Sequence, residues 1–351
     1  MENLVELSSK KKVEVIEYLR GFAAFYVVIH HFLGFTELKN NVPEIFHFPF
    51  RFGQEIVLLF FLMSGFVIYT ANQKIENKFF LDYLKKRIIR IYPTFILTLI
   101  LSIIILKINN EYLKQADFLD LLGNIFMLQD TGNKPGAIVY PFLQNYPLWS
   151  LSYEWWFYML FFPICYYIDK YSMKNRIANI YVILIISASS WMVYLLFPNH
   201  LLLILSHLVI WWAGVDIARL YFSGKEISNK ALLPIYMSLG IMTLLSLIPL
   251  LNAQSAGATL NVNDFPFIDF RHFASAIILV FIGNAIYNLK SFNLEKFIKP
   301  FGYLAPISYA LYCVHFPIIL LKIPIVTNVF AVFLIKIFLI LIISYFFEII
   351  I

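Results

Sequence analysis

Charge is scarce in this chain, and cysteine scarcer still. Only 14% of the 351 residues are charged and 61% are hydrophobic, with a mean hydropathy of +0.77, a balance that a water-soluble globular domain of this length would not need. No polar block long enough to fold as a soluble domain interrupts the apolar runs, so residues 1–351 read as a single membrane domain. Cys165 and Cys313 both lie inside apolar runs, which excludes a disulfide framework and any metal-type cysteine spacing. The net charge of +6 does not point to nucleic acid, because the basic residues fall between apolar runs instead of clustering with interleaved aromatics.

What is present is a series of mostly apolar runs of about 17 to 22 residues, long enough at about 1.5 Å per residue to cross a hydrocarbon core. They fall near 14–34, 53–71, 88–108, 148–168, 177–197, 201–221, 231–251, 273–289, 301–321 and 329–349. The pattern predicts an all-α, polytopic membrane bundle of ten spans. Lys10, Lys11 and Lys12 superficially resemble the start of a secretory signal, but Arg20, two histidines and the lack of a small-residue cleavage site favour a retained first span. Ten spans put both termini on one side, and basic residues choose the side. With both ends cytoplasmic, eighteen Lys and Arg lie inside and seven outside, the bias expected of that orientation. The outside connection 109–147 contains a semi-apolar piece, 118–128, that predicts a surface or re-entrant helix. Gly132, Pro135, Gly136, Pro141 and Pro147 then break any helix before Trp149. This connection and the outside loop 252–272 are candidates to hold a substrate.

Within the first run, Arg20 and His31 are separated by ten residues. Eleven helical steps of about 100° return a side chain to within about 20° of its starting direction, roughly 16 Å further along the axis. The two groups therefore share one stripe, whereas His30 points about 80° away from the direction of Arg20. A charged group within lipid costs at least about 2.5 to 3.5 kcal/mol, so an intramembrane arginine marks a protein interior or a wet cavity. The predicted topology then sorts the polar residues by depth: His31, Glu154 and His315 in an outer layer, and Arg20 in an inner layer with Arg87 and Arg90, which share a helix face at the cytoplasmic mouth. The outer layer suits proton transfer and the inner layer suits an anion.

Each group also has a plainer role. Glu17 lies one turn before Arg20 and can pair with it; Arg87 and Arg90 can be topology anchors; Glu154 can accept from Ser150 or Tyr158; and His315 can serve the carbonyl freed by Pro317. His47, His207 and His272 are expected at the surface. The histidines have no zinc-type spacing, so no metal site is expected.

Five segments together resemble the acyltransferase 3 family of integral membrane acyltransferases, which O-acetylate bacterial surface sugars. They are Tyr18-Leu19-Arg20-Gly21 with His31, Phe60-Phe61-Leu62-Met63-Ser64-Gly65-Phe66, Arg87-Ile88-Ile89-Arg90-Ile91-Tyr92-Pro93, Leu148-Trp149-Ser150-Leu151-Ser152-Tyr153-Glu154-Trp155-Trp156-Phe157-Tyr158, and Ile307-Ser308-Tyr309-Ala310-Leu311-Tyr312-Cys313-Val314-His315-Phe316-Pro317. Singly they are weak signals; in this order, from 14 to about 320, they are specific. The resemblance implies a multi-pass protein of the bacterial plasma membrane, a cytoplasmic acyl-CoA donor, usually acetyl-CoA, and a carbohydrate or glycolipid acceptor on the outer side. Many members add a C-terminal hydrolase-like domain; the expectation here is a stand-alone membrane type, or one lacking a short tail.

The chemistry expected of these residues is transfer of an acetyl group to a sugar hydroxyl. Arg87 and Arg90, with Tyr92 and Ser64, are expected to hold the donor, since the guanidinium fork suits phosphate. Arg20 either positions the thioester or stabilises its oxyanion. His31 is the expected general base, and Glu154 is expected to fix its tautomer or stabilise the imidazolium. A covalent acyl-histidine is the open alternative. Trp149, Ser152 and His315 are expected to contact the acceptor. The competing class is a transporter of acyl groups, lipids or ions, which also uses intramembrane Arg, His and Glu; it is disfavoured by the lack of symmetry between the halves.

Overall fold

Lipid offers the backbone no hydrogen-bond partners, so long apolar runs can cross it only as helices that satisfy themselves. The protein follows that rule throughout. The structure, a computed structural model, describes residues 2–73, 79–170, 176–289 and 294–350, with side chains except those of 2–13, 169, 170 and 176–178. It contains no β-strand among the described residues, only an isolated bridge between Gln129 and Val139. The long helices are α1 (Glu2–Phe35), α4 (Gly53–Ala71), α5 (Phe80–Ile108), α7 (Trp149–Lys170), α8 (Arg176–Leu196), α9 (His200–Phe222), α10 (Asn229–Ser255), α11 (Phe267–Asn288), α13 (Ser308–Leu320) and α14 (Val329–Tyr345). Short helices α2 (Leu38–Asn41), α3 (Glu44–His47), α6 (Gln115–Ile125) and α12 (Leu294–Ile298) lie in the connections. Asn199, Ser228 and Asn328 cap α9, α10 and α14, each accepting from a backbone N–H in the first turn.

Every expected apolar stretch but the ninth coincides with one of these helices. Seven are long and apolar enough to cross a membrane, and an eighth is counted if the pair 294–303 and 305–320, bent by 57°, forms one broken span. The ninth stretch, expected as one run over 301–321, is therefore kinked. α1 and α7 fall outside that count. Glu17, Arg20, His30 and His31 dilute the first, and Ser150, Ser152, Glu154 and seven Trp or Tyr residues the second, so the least lipid-like long helices are the two richest in candidate chemistry. Lys74, Lys78, Lys174 and Lys290, counted in the charge bias, lie outside the described residues.

Two apolar clusters build the core. The larger joins α4, α5, α7, α8, α9, α10 and α11; the smaller is built mainly on α1, α13 and α14. α4 and α9 touch backbone to backbone, because a Cβ on Gly65 would stand 2.2 Å from the Trp211 carbonyl oxygen and one on Gly214 2.0 Å from that of Leu62. Pro317 removes the N–H that would satisfy the Cys313 carbonyl within α13. Asn145 supplies the missing donor, its amide N 3.0 Å from that oxygen. His315 does not serve this kink; its Nδ1 meets the Leu311 carbonyl at 3.0 Å.

The connection 109–147 is an inserted plug as much as a surface loop. After α6 it folds inward, burying Gln129, Asp130, Lys134 and Asn145, before two short 3-10 turns lead into α7.

Candidate active site

Helical periodicity on α7 divides its polar residues between two sides. Ser150, Glu154 and Tyr158, four apart, face a cavity at the seam between the two apolar clusters. Arg20 from α1, Phe60 and Ser64 from α4, Arg87 and Arg90 from α5, and Ser308, Tyr309 and Tyr312 from α13 and the turn before it complete its wall. Ser152, about 200° round the helix from Ser150, faces away. Its hydroxyl meets the Gln129 and Trp149 carbonyls at 2.8 and 3.0 Å and His200 at 3.0 Å, so it belongs to a buried network and lines no part of this cavity.

The three arginines are held differently. Arg20 pairs with Glu17 at 3.2 Å and reaches Ser308 at 3.4 Å, so the plain ion pair and the cavity role coexist in one side chain. Arg90 pairs with Glu348, whose other oxygen accepts from the Ala310 N–H at 3.1 Å. Arg87 makes no ion pair among the described residues; its guanidinium lies 5.6 and 5.9 Å from the Tyr83 and Tyr158 rings. α5 begins at Phe80, so Arg87 and Arg90 lie seven and ten residues into the helix. Tyr92, expected beside them, is turned away: its hydroxyl donates to the Ile125 carbonyl at 2.9 Å and its ring packs on Trp155.

Glu154 belongs to the arginine cavity and not to His31. Tyr158 has one hydroxyl proton, donated to the Glu154 carboxylate. Ser64 must then donate to Tyr158 across 2.8 Å, while the Trp211 indole N–H donates to Ser64 at 3.1 Å. The chain runs one way, Trp211 to Ser64 to Tyr158 to Glu154, and each bond polarises the next toward the carboxylate.

His31 lines a second cavity with His30, His47, Gln54, Tyr146, Trp149 and Arg271. Its Nδ1 lies 2.9 Å from the Val27 carbonyl and 3.1 Å from Nε2 of His315. A carbonyl only accepts, so His315, whose Nδ1 faces the Leu311 carbonyl, carries its proton there and has a lone pair on Nε2. His31 Nδ1 therefore holds a proton shared between Val27 and His315, and its Nε2 is left basic. The side chain hydrogen-bonded to His31 is thus His315 and not Glu154. His30 lines the same cavity although it points elsewhere on α1, its Nδ1 donating to the Phe50 carbonyl at 2.6 Å. The two cavities meet at Tyr312, whose ring lines the first and whose hydroxyl donates at 2.7 Å to the carbonyl of Pro147, a wall residue of the second.

The expectation of surface histidines fails at three positions. His47, His207 and His272 are all buried. His207 and His272 join Asp269, with Asp130, Lys134, Tyr153 and His200 close by in a buried polar layer behind Trp149. His200 Nδ1 meets Asp130 at 3.0 Å and the Tyr153 hydroxyl donates to the same oxygen at 2.7 Å. Burial alone would raise the Asp130 carboxyl, but the Lys134 ammonium and the His200 imidazole hold it down at about 2. No sequence spacing announces this layer, since its members come from the 109–147 connection, α7, α9 and α11.

The architecture and these two cavities describe a multi-pass helical membrane protein with an arginine-lined and a histidine-lined chamber in contact. The chain belongs to the acyltransferase 3 family, whose acyltransferase-domain model matches residues 13–349, and it is an O-acyltransferase. No curated protein and no solved structure matches it.

Proposed function

We propose that the protein moves an acetyl group from cytoplasmic acetyl-CoA to a hydroxyl of a cell-envelope carbohydrate or glycolipid, acting as one ten-span domain of the bacterial plasma membrane with both termini cytoplasmic. The observation that carries this reading is the fixed tautomer of His31, which directs a basic Nε2 within the histidine cavity while the cations suited to phosphate lie in the adjoining one. In the transfer, His31 Nε2 takes the hydroxyl proton as the oxygen forms a bond to the thioester carbon. The C–S bond then breaks, and CoA thiolate leaves and is protonated. Arg87, which has no ion-pair partner among the described residues, and Arg90 bind donor phosphates. Arg20, which shares their cavity and reaches Ser308 of α13 at 3.4 Å, positions the pantetheine arm or steadies the oxyanion. Ser64 supports the donor side through Tyr158 and Glu154. Trp149 offers an apolar face to a sugar ring, and His315 acts on the acceptor's base instead of on the acceptor.

Purified protein in proteoliposomes, given labelled acetyl-CoA and envelope glycan fractions, should form alkali-labile esters in one fraction, and His31→Ala should abolish them. Absence of donor-dependent esters with every fraction would overturn the reading. Labelling of a cysteine introduced at position 225 should occur from the cytoplasmic side; outside-only labelling would reverse the orientation.

A further inference from the structure

We propose that His207, Asp269 and His272 bind a zinc-type divalent metal ion. All three are buried, and their ligand atoms lie within 4.8 Å of one another. His207 Nε2 is 3.4 Å from Asp269 Oδ1 and 3.4 Å from His272 Nδ1. A tetrahedral ion with bonds of about 2.0 to 2.1 Å holds its ligand atoms about 3.3 to 3.4 Å apart, so two edges of the coordination figure already have the right length.

The outer partners of the two imidazoles explain why a cation is wanted there. His207 Nδ1 faces the Leu203 carbonyl at 3.0 Å and must carry its proton on that side. His272 Nε2 faces the Gln54 amide oxygen at 3.2 Å and does the same. Both rings thus aim lone pairs at one point, where Asp269 adds a carboxylate whose oxygens accept no hydrogen bond among the described residues. Three electron-pair donors converge with no proton between them, an arrangement that repels unless a positive ion sits at its centre. Outer hydrogen bonds of this kind orient imidazole ligands and fix their tautomers. The charge balance agrees. Two buried carboxylates, Asp130 and Asp269, share one ammonium, that of Lys134, which stands 3.9 Å from Asp269 and lies against the Trp149 and Tyr153 rings at 4.7 and 5.2 Å. Two imidazoles and one carboxylate suit zinc among the common divalent ions and leave one position of the tetrahedron for water.

The ion would tie α9 to α11 and set the plane of His272, on which Trp149 stacks with an interplanar angle of 3°. Trp149 walls the histidine cavity, so the metal shapes the floor on which the acceptor rests.

The full chain, purified in detergent after growth with Zn2+, should carry one Zn2+ per chain by elemental analysis, and Co2+ exchanged into it should give the visible bands of a tetrahedral complex. Asp269→Asn and His207→Gln should lose the ion, while His31→Gln keeps it. Asp269→Cys serves should the others misfold, because a thiolate on Co2+ adds a near-ultraviolet charge-transfer band. A wild-type chain that takes up neither Zn2+ nor Co2+, or a Co2+ spectrum unchanged in all three variants at 207 and 269, overturns the site in favour of a proton held between His207 and Asp269.

Discussion

Nε2 of His315 lies 3.1 Å from Nδ1 of His31, and each ring also faces a helix carbonyl one turn before it. The pair therefore has a direction: the proton sits on His31 Nδ1, and basicity is delivered to the opposite edge of that ring. In the proposed transfer, His315 on α13 would do for His31 on α1 what a carboxylate does in many catalytic pairs, without placing a second charge in the membrane.

His31→Ala is expected to lower transfer by about 10² to 10⁴, the usual loss for a general base. His315→Ala should lose a large part of the same factor by releasing the tautomer, and the double variant should be little slower than His31→Ala alone, since residues acting as a unit are non-additive. Measured transfer rates that fall multiplicatively in the double variant would separate the two rings.

Glu154 should behave differently. Its carboxylate is engaged by Tyr158 in the arginine cavity, so Glu154→Gln is expected to act on donor use, and its loss should multiply with that of His31→Ala. A double-variant rate equal to that of His31→Ala alone would restore the partnership that depth along the sequence suggests.

Arg87→Met should raise the apparent Michaelis constant for acetyl-CoA while leaving that for the acceptor near its original value. Arg90→Met is expected to have a mixed effect, because it also strands Glu348, whose other oxygen holds the Ala310 N–H near the start of α13. Initial rates with each substrate varied in turn check both statements; an unchanged donor constant in Arg87→Met would leave that arginine as a topology anchor only.

The helices were legible because lipid permits little else, and the Arg20 and His31 stripe was legible because both residues sit on one uninterrupted helix. Partners across helices were not. Depth placed Glu154 with His31, but depth carries no azimuth, and α7 presents Glu154 to α5 and α13. Helical periodicity on α7 separates Ser152 from Ser150 and Glu154, as it unites Arg20 and His31 on α1. His207 and His272 are 65 residues apart and meet only because α9 and α11 flank α4, a fact of packing that spacing cannot carry.

Asp130 makes stability depend on acid. Its folded carboxyl titrates at about 2, below the ordinary aspartate value of about 3.9, so its contribution is present above about pH 4 and is lost as pH falls toward 2. The difference amounts to roughly 2 to 3 kcal/mol. Melting of the detergent-solubilised protein between pH 6 and pH 2.5 should show this slope, and Asp130→Asn should flatten it; an equal slope in both would assign the acid sensitivity to other carboxylates.

The Pro317 kink gives a test of packing that does not depend on catalysis. Without its N–H, α13 leaves the Cys313 carbonyl open, and Asn145 from the 109–147 connection fills the gap at 3.0 Å. Asn145→Leu removes the donor and leaves a buried carbonyl unsatisfied, which is expected to cost about 1 to 3 kcal/mol. Pro317→Ala restores an internal donor, so the helix can then satisfy Cys313 by itself. In that background Asn145→Leu should cost clearly less, and the two changes should couple by about 0.5 to 3 kcal/mol in a thermal or denaturant cycle. Equal costs in the two backgrounds would mean that Asn145 stabilises the loop for another reason and that the kinked carbonyl finds its own partner.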